Sequence, residues 1–286
     1  MQKLAYLIGN TNYYNEEKLE NAKNDVIVMS ERLEKCGFQV ETFIDLEKEK
    51  FKTTVRKFEL ELYEYNVGLF YFAGHGFEMN GRNYLVPCDS NKYEDAIDIT
   101  NLIEKMSKAR DFTSIIILDC CRTDISKSRG NANIRSISRF EFKQGAFIAF
   151  ATSSDSSASD GEGSNGLFTG VLSKYLLEEG LKIEELFKKI RSEVIERSDF
   201  KQIPCEYSSL VGDFYFVSPK ESIKEIAKKL SENTYSDISK EVEKIWKEKE
   251  EEIRKNEHID SKIDLLNCVL NEIDKLYFEN KEGRIQ

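Results

Sequence analysis

Histidine is nearly absent: the 286 residues hold only His75 and His258. That scarcity excludes a good deal. Zinc centres draw three or four ligands from Cys and His at short spacing, and the six cysteines (36, 88, 120, 121, 205, 268) include no C-x-x-C pair to supply them. Only Cys120 and Cys121 lie close, and adjacent cysteines rarely bridge because the ring they close is strained. MQKLAYLIGN has one lysine and a short apolar run, which suits a first strand better than a secretion leader. Reduced thiols and a cytoplasmic setting are therefore expected. Basic charge is also in deficit, and a net charge of −10 argues against nucleic acid or anionic membrane as a partner. No apolar run reaches the roughly 20 residues needed to span a bilayer.

What is present is a pattern of buried strands and amphipathic helices. KLAYLIG (3–9), VGLFYFAG (67–74), TSIIIL (113–118) and GAFIAFAT (145–152) are apolar throughout, as strands covered on both faces are. FQVETFI (38–44) alternates like a strand, and short strands are expected at 83–87, 205–210 and 213–217. Leu19, Ala22, Val26, Met29, Leu33 and Cys36 recur at helical spacing, with Gly37 placed to end that helix. Similar spacing predicts helices over 47–65, 95–109, 167–179 and 182–198. Strands alternating with helices imply an α/β domain around a mainly parallel sheet. Two polar stretches, 122–143 and 153–166, lack apolar periodicity.

The composition changes near Ser218-Pro219. Residues 1–218 form the expected α/β domain, and 219–286 are dense in Lys and Glu with helical spacing. Two or three helices there act either as a cap on the sheet or as a module that binds a regulatory partner. The run KEKEEEIRK is a solvated helix face with i, i+4 charge pairs.

The chemistry is approached by elimination. His258 sits among charged helices, where a surface role is expected. His75 sits in YFAGHGFEMNG directly after a buried strand, and ILDCCRTD closes another. In an open parallel sheet, ligands bind beyond the carboxyl ends of the strands, so both fall on the functional edge. Glycines on either side of His75 leave its backbone open to a substrate carbonyl. Alone, GHG equally suits an ordinary turn. A histidine and a cysteine brought from two strand ends are what a thiolate–imidazole pair requires. Cys121 lies 121 − 75 = 46 residues after the histidine.

Five ordered blocks carry a resemblance over residues 3–217: LAYLIGNTNY, LENAKNDVIVMSERLEKCGFQV, FYFAGHGFEMNGRNYLVPCD, ILDCCR and FATSSDSSASD. Together they resemble the caspase-like cysteine peptidases, the paracaspases first and the metacaspases next. The resemblance implies a caspase-like three-layer sandwich with a helical appendage, and a cysteine endopeptidase using a Cys–His dyad. Those families place the nucleophile two residues after an aspartate, which assigns it to Cys121 and makes His75 its proton shuttle. Strand alternation agrees: Asp119 and Cys121 share a face while Cys120 points away, as a small packing residue would. The glycine after the histidine, Gly76, contributes an oxyanion N–H beside that of Cys121. The acidic pocket that accepts arginine in paracaspases corresponds to Asp25, Asp119 and Asp160, the last a glutamate in some relatives. Converging carboxylates suit a guanidinium. Cleavage after Arg or Lys in a protein or peptide is thus expected.

Residues 122–143 are rich in basic side chains, so a protease of this specificity finds sites in its own chain after Lys127, Arg129, Arg135 or Arg139. The alternative there is a solvated basic loop. No cofactor is expected; some metacaspases need calcium, but Asp160-Gly161-Glu162 is too small a cluster to define a calcium site. Homodimer pairing through the last strand, at 213–217, follows by family likeness. A rival reading is a catalytically silent domain that scaffolds partners through its helices. Dead homologues usually lose the histidine or cysteine, and both stand here.

Overall fold

The structure, a computed structural model, describes residues 2–79, 82–91, 94–106, 112–120, 123–124, 145–152 and 164–219. The chain divides into two units, Met1–Pro219 and Lys220–Gln286, and every described residue belongs to the first. The helical region expected over 219–286 lies, apart from Pro219, outside the described residues.

The first half alternates as its hydrophobic pattern predicts: β1 (Lys3–Gly9), α1 (Ala22–Lys35), β2 (Gln39–Ile44), α2 (Lys48–Glu61) and β3 (Val67–Ala73). β3 is followed by a hairpin of β4 (Gly76–Met79) and β5 (Arg82–Leu85), then β6 (Ile97–Asp98), α3 (Thr100–Met106) and β7 (Thr113–Asp119). The described remainder contains β8 (Thr123–Asp124), β9 (Ala146–Phe150), α4 (Leu167–Tyr175), α5 (Ile183–Arg197) and β10 (Cys205–Ser208). The main sheet runs in the order β10-β9-β7-β3-β1-β2, parallel except where β10 meets β9.

Side-chain alternation along the central strands builds two cores. Ala5, Leu7, Leu69, Tyr71, Ile115 and Ile117 face α1, α4 and α5, whereas Tyr6, Ile8, Phe70, Phe72, Ile116 and Leu118 face α2 and α3. A sheet covered on both faces needs apolar residues at every position, which is why β3 is buried throughout. The result is the expected three-layer α/β sandwich. The edge strand β2 is only partly buried, consistent with its alternating sequence.

Gly37 ends α1 with φ +79°; its N–H reaches the Glu34 carbonyl at 2.9 Å and the Phe38 N–H reaches that of Leu33 at 3.0 Å. These two bonds form a Schellman motif, and Phe38 and Leu33 are both buried beneath it. At the other end, the first turn of α1 rests on Gly9. A Cβ there would stand 2.6 Å from the Ala22 carbonyl oxygen and 2.8 Å from Val26 Cγ2. Gly9→Ala is therefore expected to lower unfolding free energy by about 1–3 kcal/mol, read from the urea midpoint. An unchanged midpoint would show that α1 can lift without cost.

Three expectations are corrected. The helix predicted over 95–109 begins only at Thr100, because Ile97–Asp98 pairs with β5 instead. No strand forms at 213–217; Tyr215 and Val217 make isolated bridges to Lys182 and Glu179, and the sheet's last strand is β10. Finally, a second sheet, β6-β5-β4-β8, stands beyond the carboxyl ends of β3 and β7, where the sequence suggested only one short strand.

Candidate active site

Strand register places His75. β3 and β7 are adjacent and parallel, with Ala73 registered against Asp119, and Phe77 in β4 registered against Thr123 in β8. Each chain takes four steps between those pairs, 77 − 73 = 4 and 123 − 119 = 4. His75 is the middle residue of one linker and Cys121 of the other. The Gly74 N–H donates to the Asp119 carbonyl at 3.2 Å, tying the linkers where they begin. Cys121 itself lies outside the described residues.

His75 is half-buried and held on three sides. Its backbone N–H donates to the Tyr13 phenol at 2.7 Å, and its carbonyl accepts from Val86 at 3.0 Å. Its ring lies 4.5 Å from that of Tyr13, tilted by 50°. Nε2 is 2.7 Å from the Glu17 carbonyl. A carbonyl only accepts, so Nε2 carries the proton, and the lone pair of the neutral imidazole is on Nδ1. Burial pushes the Tyr13 hydroxyl well above the ordinary phenol range, against the pull of the His75 amide. Tyr13 is therefore a neutral acceptor at physiological pH.

Tyr13 and Glu17 belong to the loop after β1, which is anchored from below. Asp45, at φ +54°, accepts from Thr11 N–H at 2.7 Å and from the backbone and side-chain N–H groups of Asn12 at 2.9 and 2.7 Å. Burial raises the Asp45 carboxyl, yet these bonds prevail and hold it below the usual carboxylate range. Asn10, fully buried, donates to Val86 O at 3.0 Å and accepts from Leu46 N–H at 2.9 Å. Sequence reasoning missed this brace; its signal was the polar NTNYYNEE at a strand's carboxyl end.

The glycines beside His75 serve packing. A Cβ on Gly74 would meet the Phe72 ring and the Tyr13 hydroxyl, each at 2.6 Å. One on Gly76 would meet Cys120 Sγ at 2.7 Å. Gly76 is buried, so the uncovered backbone expected there is covered on one side by Cys120 and Tyr84. Cys120 is buried with Leu118 and Phe150 on the α2–α3 face. Asp119 turns to the other face, where Thr169 of α4 donates to its Oδ2 at 2.6 Å. Alternation thus separates the two residues as anticipated, even though β7 ends at Asp119.

Asp25 and Asp119 come together although 94 residues separate them in the sequence (119 − 25). Asp25 is buried in the first turn of α1, where its Oδ1 accepts from Asn165 Nδ2 and Gly166 N–H, both at 3.0 Å. A Cβ on Gly166 would lie 3.2 Å from Asp25 Oδ2 and 3.5 Å from Asp119 Oδ2. Both carboxylates therefore border the space that a side chain at Gly166 would enter. Beneath it Tyr71, fully buried, bonds to Thr169. Burial, then the charges of Asp25 and Asp119, push its hydroxyl far above the ordinary range.

The third expected acid, Asp160, lies outside the described residues, as do Lys127, Arg129, Arg135, Arg139 and the Asp160–Glu162 loop. Among the described residues no group of three or more His, Cys, Asp or Glu could hold a metal ion, and no helix is long and apolar enough to cross a membrane.

Comparison with known proteins points one way. The family model for the caspase domain matches residues 2–215. The mucosa-associated lymphoid tissue lymphoma translocation protein 1 of Homo sapiens is 29% identical over 198 residues, which are 67% of this chain and 24% of that protein. A paracaspase of Dictyostelium discoideum is 30% identical over 126 residues, 42% of this chain and 31% of that one. The chain thus matches only about a quarter to a third of the length of these curated relatives. Caspase-1 from Spodoptera frugiperda superposes with a TM-score of 0.60 at 17% identity, over 78% of this chain and 92% of that one, a likeness of fold.

Proposed function

The chain belongs to the caspase family, with a paracaspase among its relatives, and from that membership we propose that it is a cysteine endopeptidase cutting after arginine or lysine through His75 and Cys121. The observation that carries the reading is the pair of equal linkers, registered at both ends, whose middle residues are His75 and Cys121. Neighbouring strands lie about 4.8 Å apart, a spacing that brings a thiol and an imidazole within reach.

His75 Nδ1 takes the Cys121 proton, and the thiolate attacks the peptide carbonyl carbon. The tetrahedral intermediate collapses as the imidazolium protonates the leaving amine, leaving a thioester. Water, deprotonated by the same nitrogen, then releases the acid and restores the thiol. The oxyanion is held by the N–H groups of Gly76 and Cys121. In support, the Val86 bond fixes which edge of β4 faces β5, and strand alternation turns the Gly76 N–H to the other edge, toward β8. Asp25, Asp119 and Asp160 receive the basic side chain before the scissile bond. Self-processing after Lys127, Arg129, Arg135 or Arg139 follows from the tether: these sites begin six residues past the nucleophile (127 − 121), so their local concentration is high. Residues 219–286 serve a regulatory protein partner.

The test is turnover of short peptides ending in Arg, Lys or Asp, with and without calcium, alongside intact-mass analysis of the incubated enzyme. Cleavage after Arg or Lys and a chain cut between 127 and 140 are expected. Turnover only after Asp would sink the acidic pocket, silence toward all three would favour a scaffold, and an uncut chain would remove self-processing.

A further inference from the structure

The Asp119 carboxylate is not left to choose its own orientation. Thr169 Oγ1 is 2.6 Å from Asp119 Oδ2 and 2.6 Å from the Tyr71 hydroxyl. An ionised carboxylate only accepts, so the single Thr169 proton goes to Asp119, and Tyr71 must be the donor to Thr169. The chain Tyr71 O–H to Thr169 O–H to Asp119 is therefore polarised in one direction. Tyr71 and Thr169 are both fully buried, whereas Asp119 is half-buried at a strand end. The same segment holds the other acid, because Asn165 and Gly166 bind Asp25 Oδ1 immediately before α4 begins.

We infer that Thr169, backed by Tyr71, is a positioning residue that sets the plane of the Asp119 carboxylate for a planar, bidentate cation on the substrate. The inference rests on the reading of Asp25 and Asp119 as the pocket for the basic side chain. Its physical content is directional. A guanidinium needs both carboxylate oxygens in its own plane, while an ammonium is a point charge that tolerates rotation. Losing the Thr169 bond removes one fixed restraint on that rotation and so harms arginine recognition more than lysine recognition. The orientation is set before substrate arrives, so the effect falls on binding and spares the chemical step.

The experiment compares wild type, Thr169→Val and Thr169→Ser on paired peptides that differ only in Arg or Lys before the cleaved bond. Valine keeps the shape of threonine without its hydroxyl. The lost bond is present in free and bound enzyme alike, so only the preorganisation of the carboxylate is lost, and Thr169→Val is expected to raise KM for the Arg peptide about two- to tenfold. Its kcat is expected to stay within about threefold. The Arg-to-Lys ratio of kcat/KM should fall, and Thr169→Ser should restore both quantities. A merely structural role would lower the amount of active enzyme and leave that ratio unmoved. If Thr169→Val does not fold, the double variant with Tyr71→Phe, which leaves no orphaned phenol, carries the same expectation. A folded variant with unchanged KM and unchanged Arg-to-Lys ratio overturns the inference. Wild type that cleaves neither peptide overturns the underlying reading instead, so the two failures are told apart.

Discussion

Cys121→Ala is expected to abolish turnover of basic peptides, by roughly 10³-fold or more in kcat, while Cys120→Ala keeps most of the activity. The contrast is sharp because the residues are neighbours of the same type. Cys120 is 8% exposed and packed with Leu118 and Phe150, on the face of β7 opposite Asp119. Its sulfur also approaches Gly76 closely, so a Cβ on that glycine would lie only 2.7 Å away. Shortening Cys120 to alanine removes one buried atom and costs about 1 kcal/mol of stability. Cys121, by contrast, is the middle residue of the stretch between Asp119 and Thr123, which are registered against Ala73 and Phe77 on either side of His75, and alanine supplies no thiol to attack. Steady-state rates beside thermal unfolding of both variants check the expectation. Activity lost in Cys120→Ala and kept in Cys121→Ala would put the nucleophile one residue earlier.

Asp119→Asn is expected to raise KM for arginine peptides by about 10–100-fold, the equivalent of 1.5–3 kcal/mol for a charged hydrogen bond. Asparagine keeps the shape and retains an oxygen for the Thr169 hydroxyl, so the fold loses little. Asp25→Asn acts in the same direction for a different reason. Its amide oxygen still accepts from Asn165 and Gly166, which leaves an NH₂ beside the Gly166 volume where a carboxylate oxygen stood. Two donors then meet an incoming cation. Michaelis constants on matched Arg and uncharged peptides, with unfolding midpoints as a control, separate recognition from stability. If KM holds while the midpoints drop, the two acids are structural.

Much of the site was legible because strands buried on both faces are apolar at every position. VGLFYFAG and TSIIIL therefore announced themselves, and with them the polar residues at their carboxyl ends. Residues that act through partners were not. Thr169 is 50 residues from Asp119 and 98 from Tyr71, and nothing near it in the sequence marks it as anything but a helix residue. Asn165 and Gly166 lie 140 and 141 residues from the acid they hold. The strand expected at 213–217 failed for a related reason: an alternating apolar segment can pack on helices as well as join a sheet, and Phe214 and Phe216 are buried in the α-covered core.

By itself the sequence determined the layers, the helix stop at Gly37, the presence of one histidine at a strand's carboxyl end and the two strand ends to which the proposed chemistry is assigned. Those properties are local, set by period, φ preference and side-chain type within a few residues. Tertiary structure alone decided the register of β3 on β7 and of β4 on β8, the brace that turns Nδ1 of His75 free of the Glu17 carbonyl, and the meeting of Asp25 with Asp119 around Gly166. Register is the sum of many side-chain contacts across two strands, and a one-residue slip would send every side chain to the wrong face. No short stretch of sequence contains that sum.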